Sequence, residues 1–358
     1  MKGGYIQKRI KDICRKGSSN VAQKDLDGRD GIYPIYGASG LIKHVDFYHQ
    51  EKECIGFVKD GSIGKLFILP PRSSVISTMQ YIFPKDGYLL KYVAYCLQSI
   101  DVTRFKTGAV IPHIYFRDYG ETTIYVPESL SEQKRIVRIL DDEYAKIDVL
   151  KAIAEQNLKN AKNLFRATLR KELEPKDGWI ECRLPDISEN LDSKRVPITK
   201  AVRDKGCYPY YGASGVVDYV ADYIFDGRLL LVSEDGANLL ARSSPIAFSI
   251  GGKTWVNNHA HVLRFDDERK QQFVEYWFAG HDISSFITGA AQPKLNQKAL
   301  NSIPIHIPSR ERDLEDILGI IDKMSKSCKV LEENYQKTLR MCDDLKQALL
   351  RKAFNGEL

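Results

Sequence analysis

A chain of 358 residues is longer than one compact core comfortably fills, so two domains of ordinary size are expected. A 43% hydrophobic and 28% charged composition excludes a disordered polymer, and no apolar run approaches the roughly 20 residues that a bilayer-spanning helix needs. The net charge of +6 suits a polyanionic partner without demanding one.

Seven cysteines (Cys14, Cys54, Cys96, Cys182, Cys207, Cys328 and Cys342) are odd in number and form no CxxC pair, so neither a disulfide framework nor a zinc site is indicated. With an N-terminus, Met1-Lys2-Gly3-Gly4, that opens straight into a domain, this usage points to the cytoplasm.

In chain order, strand-like runs at 54–58 and 65–69 lie between Gly, Pro and Ser turns, and a helix follows near 88–98. A charged helical run at 131–172 carries apolar marks at Ile136, Leu140, Ile147, Leu150, Ala154, Ala161 and Leu164, the spacing of a coiled-coil seam. Strand-like runs return at 229–233 and 261–265 and a helix near 271–278. A second helical run at 309–354 repeats the seam at Ile317, Ile321, Met324, Cys328, Leu331, Tyr335, Thr338, Cys342, Leu345 and Leu349.

These parallels are an internal repeat. Tyr33-Pro-Ile-Tyr-Gly-Ala-Ser-Gly40 returns as Tyr208-Pro-Tyr-Tyr-Gly-Ala-Ser-Gly215, identical at seven of eight positions. Asp60-Gly61 answers to Asp235-Gly236, Phe105-Lys-Thr-Gly-Ala109 to Phe286-Ile-Thr-Gly-Ala290, and Pro112 to Pro293. The chain is one unit used twice, and four segments are expected: a globular part at 1–127, a helix at 128–174, a second globular part at 175–308 and a helix at 309–358. The fold class is mixed α/β (α+β) globular parts, duplicated and joined by a long two-helix coiled coil.

Local chemistry sets the helix ends. Pro127 and Pro308 stop the preceding strands, Ser131 and Ser309 are candidate N-caps, Pro175 limits the first helix, and Asn355-Gly356 is a C-capping pair. A run of about 40 residues spans roughly 60 Å, whereas a domain of about 130 residues has a radius of gyration near 14 Å. The second globular part cannot bridge a whole helix, so the helices run antiparallel. A pseudo-two-fold, circular arrangement follows, with the chain's two ends close together.

Catalytic signatures are missing. Gly61-Ser-Ile-Gly64-Lys65 has the wrong spacing for a phosphate-cradling loop, no GxGxxG follows a strand, and Pro70-Pro71 is followed by Arg72 rather than by the aromatic of an amino-methyltransferase tetrapeptide. Glu132-Gln-Lys134 reads as a helix first turn rather than a nuclease motif. His259-Ala-His261 has no carboxylate or cysteine at ligand spacing, so no metal is assigned. Catalytic residues: none.

What remains is a set of hydrogen-bond donors where the copies diverge. In the first copy these are Lys59, Ser62, Lys65, Arg72, Ser73, Ser74, Ser77, Thr78 and Gln80, with Lys106 and His113 beside the Thr107-Gly-Ala turn. In the second they are Ser233, Asn238, Arg242, Ser243, Ser244, Lys253, Thr254, Asn257, Asn258 and His259, with Gln292, Lys294 and Asn296 beside Thr288-Gly-Ala. Arg, Lys, Asn and Gln read base edges, and Ser, Thr and Lys hold phosphates, so the group makes a candidate DNA-binding set. For any single residue the ordinary alternative is a solvated loop. The glycines of the Tyr-Gly-Ala-Ser-Gly element read first as a tight turn over packed tyrosines.

The duplicated Tyr-Gly-Ala-Ser-Gly turn, the Thr-Gly-Ala...Pro element, the Ile/Val-Pro leading into Ser131-Glu-Gln-Lys-Arg-Ile136 and the closing Lys352-Ala-Phe-Asn-Gly-Glu-Leu358 together resemble the specificity subunits of type I restriction-modification systems. The likeness covers essentially the whole chain. It implies target-recognition domains that each read one half of a split, asymmetric site in double-stranded DNA. It also implies helices that set the spacer and dock two modification (methyltransferase) subunits, joined by restriction subunits that are ATP-dependent nucleases and translocases. S-adenosylmethionine, ATP and Mg would then sit on those partners and no cofactor on this chain, which would be a recognition subunit and not an enzyme. One departure is Ser309-Arg-Glu-Arg-Asp-Leu314, where the first copy has Leu130-Ser-Glu-Gln-Lys134. The competing readings are a solitary DNA-modifying enzyme and a coiled-coil adaptor without a nucleic-acid role. Glu143 and Asn157 interrupt the first seam with no partner evident from sequence.

Overall fold

The computed structural model describes residues 4–289 and 291–358; Met1, Lys2 and Gly3 of the N-terminal reading, and Ala290 of the second Thr-Gly-Ala turn, lie outside them. The chain divides into two compact units, residues 1–155 with 337–358, and residues 156–336.

In the first unit, strands are β1 (Tyr5–Arg9), β2 (Cys14–Ser18), β3 (Tyr33–Gly37), β4 (Gly40–Val45), β5 (Cys54–Val58), β6 (Leu66–Leu69), β7 (Ser74–Val75), β8 (Met79–Pro84) and β9 (Thr123–Pro127). Helices are α1 (Leu90–Ser99) and the start of α2 (Leu130–Glu172). In the second unit they are β10 (Trp179–Cys182), β11 (Glu189–Asn190), β12 (Lys205–Gly212), β13 (Gly215–Val220), β14 (Phe225–Asp226), β15 (Leu229–Ser233), β16 (Ala247–Ile250), β17 (Lys253–Val256), β18 (Ala260–Arg264), α3 (Glu268–Gly280), β19 (Ile305–Pro308) and the part of α4 (Glu311–Phe354) up to residue 336. Short helical turns are left unlabelled.

The sheets repeat in the same order, with β14 added in the second unit. The first unit has the antiparallel order β2-β8-β5-β6, a three-stranded sheet β4-β3-β7 and the pair β1-β9; the second has β11-β18-β15-β16, β13-β12-β17-β14 and β10-β19. All five residues of β5 and of β15 are buried, as expected of central strands covered on both faces. The turn glycines Gly40 and Gly215, at φ +108° and +128°, close the β3-β4 and β12-β13 hairpins, so the Tyr-Gly-Ala-Ser-Gly element is a hairpin in both copies.

The pairs β1-β9 and β10-β19 lead each copy into its long helix, Tyr5 opposite Pro127 and Trp179 opposite Pro308. The capping differs from expectation. Ser129, not Ser131, accepts at the start of α2, its Oγ 3.2 Å from the Ser131 N–H. Ser309 stays outside α4 and donates its hydroxyl to the Gly178 carbonyl at 2.6 Å. Gln133 is buried in the first turn of α2, where it accepts from the Leu89 N–H (3.0 Å) and donates to the Gly87 carbonyl (2.9 Å), locking α1 to the long helix. The corresponding position of the second copy is the buried apolar Leu314, so the departure seen in sequence replaces two hydrogen bonds with hydrophobic packing.

The helices pair antiparallel within each unit. In the first, Tyr144 donates to the Lys346 carbonyl (3.3 Å), Asp148 meets Lys346 (2.5 Å) and Lys151 meets Asp343 (2.7 Å), positions rising along α2 as they fall along α4. In the second, Leu169 and Leu173 share a core with Leu314, Ile317, Leu318 and Ile321. The seam is narrower than a symmetric coiled coil. Ile136, Leu140, Ile147, Ala154, Ala161, Ile317, Ile321, Cys328 and Cys342 are buried, whereas Leu150 (53%), Leu164 (47%), Leu331 and Leu345 stay exposed, and Leu349 is half-buried beside buried Leu350. One partner helix closes about one position per heptad and leaves the alternate position open. Glu143 and Asn157 fall on that open register with Leu150 and Leu164, which is why a polar residue interrupts the seam there without a buried partner. Glu143 pairs with Lys146 at 2.7 Å.

Candidate nucleic-acid interface

In both copies the Asp-Gly turn after a buried central strand is stitched to the Thr-Gly-Ala loop by the same backbone bonds. Gly61 N–H donates to the Pro112 carbonyl (2.9 Å) and Ile114 N–H to the Lys59 carbonyl (3.0 Å); Gly236 N–H donates to the Pro293 carbonyl (3.0 Å) and Leu295 N–H to the Glu234 carbonyl (2.8 Å). Each loop is closed at its base, Thr107 exchanging hydrogen bonds with His113 (2.8 and 2.9 Å) and Thr288 with Lys294 (2.9 and 2.8 Å). Gly108 and Gly289, at φ +84° and +85°, turn so tightly that a Cβ would lie 2.4 Å from the Ile111 or Gln292 carbonyl oxygen. Only glycine fits there, which is the physical content of the repeated Thr-Gly-Ala.

The loops present different chemistry. The first ends in bare apolar side chains, Val110 at 92% and Ile111 at 66% exposure, next to exposed Lys106. Exposed Gln292 stands where Ile111 does, and Lys294 where His113 does. His113 is half-buried against Asp60, which also meets Lys59 at 2.6 Å. Val110 and Ile111 carry no side-chain donor; their mark in the sequence is two β-branched residues inside a glycine turn.

Among the remaining candidates, Ser62, Lys65, Arg72, Lys253 and Asn258 are exposed, and Lys59, Thr78, Asn238 and Ser244 are half-buried. Lys59, Ser62, Thr78, Lys106 and His113 gather at the first loop, since Lys59 N–H and Asp60 N–H donate to the Thr78 carbonyl at 3.0 and 3.1 Å. Asn258, Gln292 and Lys294 gather at the second, where Glu234 N–H donates to the His259 carbonyl at 2.9 Å. Arg72 and Lys253 do not join them: Arg72 meets Glu51 (3.4 Å) and the Lys253 ammonium lies 4.6 Å over the Tyr223 ring.

Seven candidates are corrected by burial, and of these Ser73, Ser233 and Thr254 are fully buried. Gln80 points into the core and donates to the Tyr119 hydroxyl at 2.6 Å. Ser74 is buried and accepts from the His49 N–H at 3.0 Å, and Asn257 is buried and accepts from the His259 N–H at 2.8 Å. The Arg242 guanidinium donates to the Phe278 (2.7 Å) and His281 (3.1 Å) carbonyls at the end of α3, a cation satisfying a helix C-terminus. Its burial lowers its pKa, opposed by the charge of Asp282. Asn238 braces the same turn, donating to the Ser244 carbonyl and accepting from its N–H.

Beneath the second loop lies a cluster that no sequence spacing announced. Asp192, Glu234 and His261 bring ligand-type atoms within 4.8 Å of one another. Arg195 enters the group at 2.7 Å from Glu234 and 3.6 Å from Asp192, and Lys294 lies 3.4 Å from Glu234. These cations make it a charge-paired network, not a set of open metal ligands. Burial would raise the Asp192 carboxyl, but the hydrogen bond and charge of His261, the Val262 N–H and Arg195 outweigh it and hold the group below the usual carboxylate range.

The scaffold is built twice, and its matched loops differ in chemistry. The type I restriction modification DNA specificity domain matches residues 3–158 and again residues 176–340, and the chain belongs to that family. The role the family defines is DNA sequence specificity in type I restriction-modification. A type I restriction enzyme specificity subunit of Haemophilus influenzae, S.HindORF215P, is 32% identical over 142 residues, 40% of this chain but 36% of that protein. The EcoDI specificity subunit of Escherichia coli is 19% identical over 96% of this chain and 86% of its own. Among solved structures, a chain from a study of complex assembly and conformational transition of the type I R-M system matches all of this chain and 99% of its own at 13% identity, with a TM-score of 0.76. The HsdS subunit of Thermoanaerobacter tengcongensis matches at 14% identity over 100% and 98%, with a TM-score of 0.53. These structures share the fold. No helix among the described residues is long and apolar enough to cross a membrane.

Proposed function

We propose that each globular part, 1–127 and 175–308, is a target-recognition domain that reads one half of a bipartite, asymmetric DNA site, and that the helical segments 128–174 and 309–358 set the spacer between the halves. The observation that carries this reading is the pair of identically stitched loops with different tips: Val110 and Ile111 in one copy, Gln292 and Lys294 in the other. A common scaffold with divergent tips suits two different half-sites. Exposed Lys106 and Lys294 would meet phosphate, and the bare Val110 and Ile111 suit a thymine methyl or a wedge at a base step.

The open register of the helices, with Leu150 and Leu164 on α2 and Leu331 and Leu345 on α4, supports docking of two modification subunits there, because exposed apolar side chains in rows mark protein contacts. Restriction subunits would join that core. The chain itself transfers no methyl group; S-adenosylmethionine, ATP and Mg belong to the partners.

Comparing the methylomes of cells with and without the chain tests this reading. One split motif should depend on it, and exchanging residues 1–125 for those of a relative should alter one half only. Changes in both halves, or methyl transfer by the purified chain with S-adenosylmethionine, would overturn it.

A further inference from the structure

Between the Asp-Gly turn and the next strand the first copy has three residues, 62–64, and the second has nine, 237–245. The two connections end at matched places, because Val58 N–H donates to the Lys65 carbonyl at 2.8 Å as Ser233 N–H does to the Ile246 carbonyl at 2.7 Å. The longer connection covers the end of α3: Leu239 is buried in the core of the second unit, and Arg242 donates to the Phe278 and His281 carbonyls. The shorter one does not reach that far. Beside the end of α1 it leaves a cleft of about 740 Å³, lined by residues 63–65, 98–104 and 122–125 and by the last turns of α4.

Three exposed cations line this cleft, Lys65, Arg104 and Arg351, and among the described residues none of their side chains has a carboxylate partner. The lining holds one acid, Asp101, which already accepts from the Thr103 N–H (3.1 Å) and hydroxyl (2.5 Å). Thr123, Gln98 and Gln347 add a hydroxyl and two amides to the wall. In the second copy the matching places are apolar or small: Lys65 answers to Ile246, Arg104 to Ser285, Thr122 to Ile303 and Thr123 to Pro304. Ile246 and Ile303 are buried in the core. Arg351 recurs as Arg170, each in the last turn of a long helix, where the helix dipole favours a cation. Lys65 and Arg104 are therefore what set the first copy apart.

The cleft adjoins the first Thr-Gly-Ala loop. Arg104 lies three residues before Thr107 at the loop base, and Lys65 four residues after Gly61, whose N–H is tied to the Pro112 carbonyl. We propose that the cleft holds the phosphate backbone of the duplex flanking the half-site met by the first copy, with Lys65 and Arg104 as phosphate-binding residues. The inference rests on the reading that this loop faces DNA. Cationic, hydroxyl and amide side chains hold phosphate, whereas a protein partner would call for apolar or aromatic anchors. Such contacts carry no base information, so they strengthen one half of the site without altering its sequence.

The test uses the full chain with its modification subunits and a duplex bearing the motif read from the methylome. Ethylation of single phosphates should block binding at positions flanking the half-site assigned to residues 1–127, with no counterpart flanking the other half. The double variant Lys65→Ala with Arg104→Ser, the second change placing the residue found at 285, should abolish that interference and leave the methylated motif unchanged. It should also lower affinity about tenfold and reduce the salt slope of binding by about two. No interference flanking that half-site in the wild-type complex, or a variant with the wild-type slope, overturns the proposal. So does loss of the modification subunits from the variant in a pull-down, which would make the cleft a protein contact. Flanking interference in a protein whose Val110→Ala and Ile111→Ala variants bind DNA as wild type does would overturn the loop's role at the bases and still support the cleft, which separates the two failures.

Discussion

The two Thr-Gly-Ala loops share their backbone ties and almost no side-chain chemistry at the tip. Closure at the base, the glycine with positive φ and the tie to the Asp-Gly turn recur in both. Below them the copies part again, with neutral Gln80 in one and a charged network around His261 in the other. The difference separates two layers in this chain, a frame common to both copies that places a loop and a set of side chains that differs between them. Each layer can be broken separately.

The largest expected effect comes from the frame's foundation. Leu140 is fully buried between α2 and the first globular part, so Leu140→Ala should lower stability by about 2–5 kcal/mol in chemical denaturation. Leu150→Ala, ten residues on but exposed, should change it by less than about 0.5 kcal/mol while weakening capture of the modification subunits in a pull-down. Equal losses in the two variants would contradict the one-sided seam.

Next in size are the loop glycines. Gly108→Ala forces a Cβ to within 2.4 Å of a carbonyl oxygen, and about 1–3 kcal/mol of strain is expected, seen as weaker DNA binding at the first half-site with a melting temperature lower by a few degrees. Gly289→Ala should do the same at the second half-site, and any cross-effect would argue against independent loops.

The charged network gives a difference between the copies in acid. Because the Asp192 carboxyl is depressed in the folded protein, its contribution to stability is present above the unfolded carboxylate range and is lost as pH falls through the folded value. The second unit should lose stability in acid before the first, by hydrogen exchange, and Asp192→Asn should remove that difference. The smallest effect is electrostatic: Lys106→Ala and Lys294→Ala should each reduce the salt slope of DNA binding by about one.

Much of this frame was legible in the sequence because repetition is read without knowing the fold. Both buried central strands, both long helices and the capping pair at Asn355-Gly356 were placed from composition and spacing. That pair closes α4 with Gly356 at φ +73° and bonds from Gly356 N–H to the Ala353 carbonyl (3.4 Å) and Glu357 N–H to the Lys352 carbonyl (2.9 Å). Side-chain direction was not legible. Gln80 and Ser62 look alike as polar residues beside a turn, yet one sits on the inward face of a central strand. The Asp192, Glu234 and His261 network was hidden for a related reason: its members lie far apart in sequence, and only the sheet brings them together.

The same capping pair ties the end of the chain to its beginning. A Cβ on Gly356 would lie 3.6 Å from the Tyr5 ring, Arg135 donates to the Leu358 carbonyl at 2.8 Å, and Leu350, Ala353 and Phe354 belong to the core of the first unit. Synthesis runs in the opposite order, since residues 156–336 of the second unit are contiguous and finished while the last turns of α4 are still to be made. Of the two globular parts the one made earlier is therefore sealed later, its Tyr92 ring gaining its edge-on Phe354 partner only when the end of α4 is made.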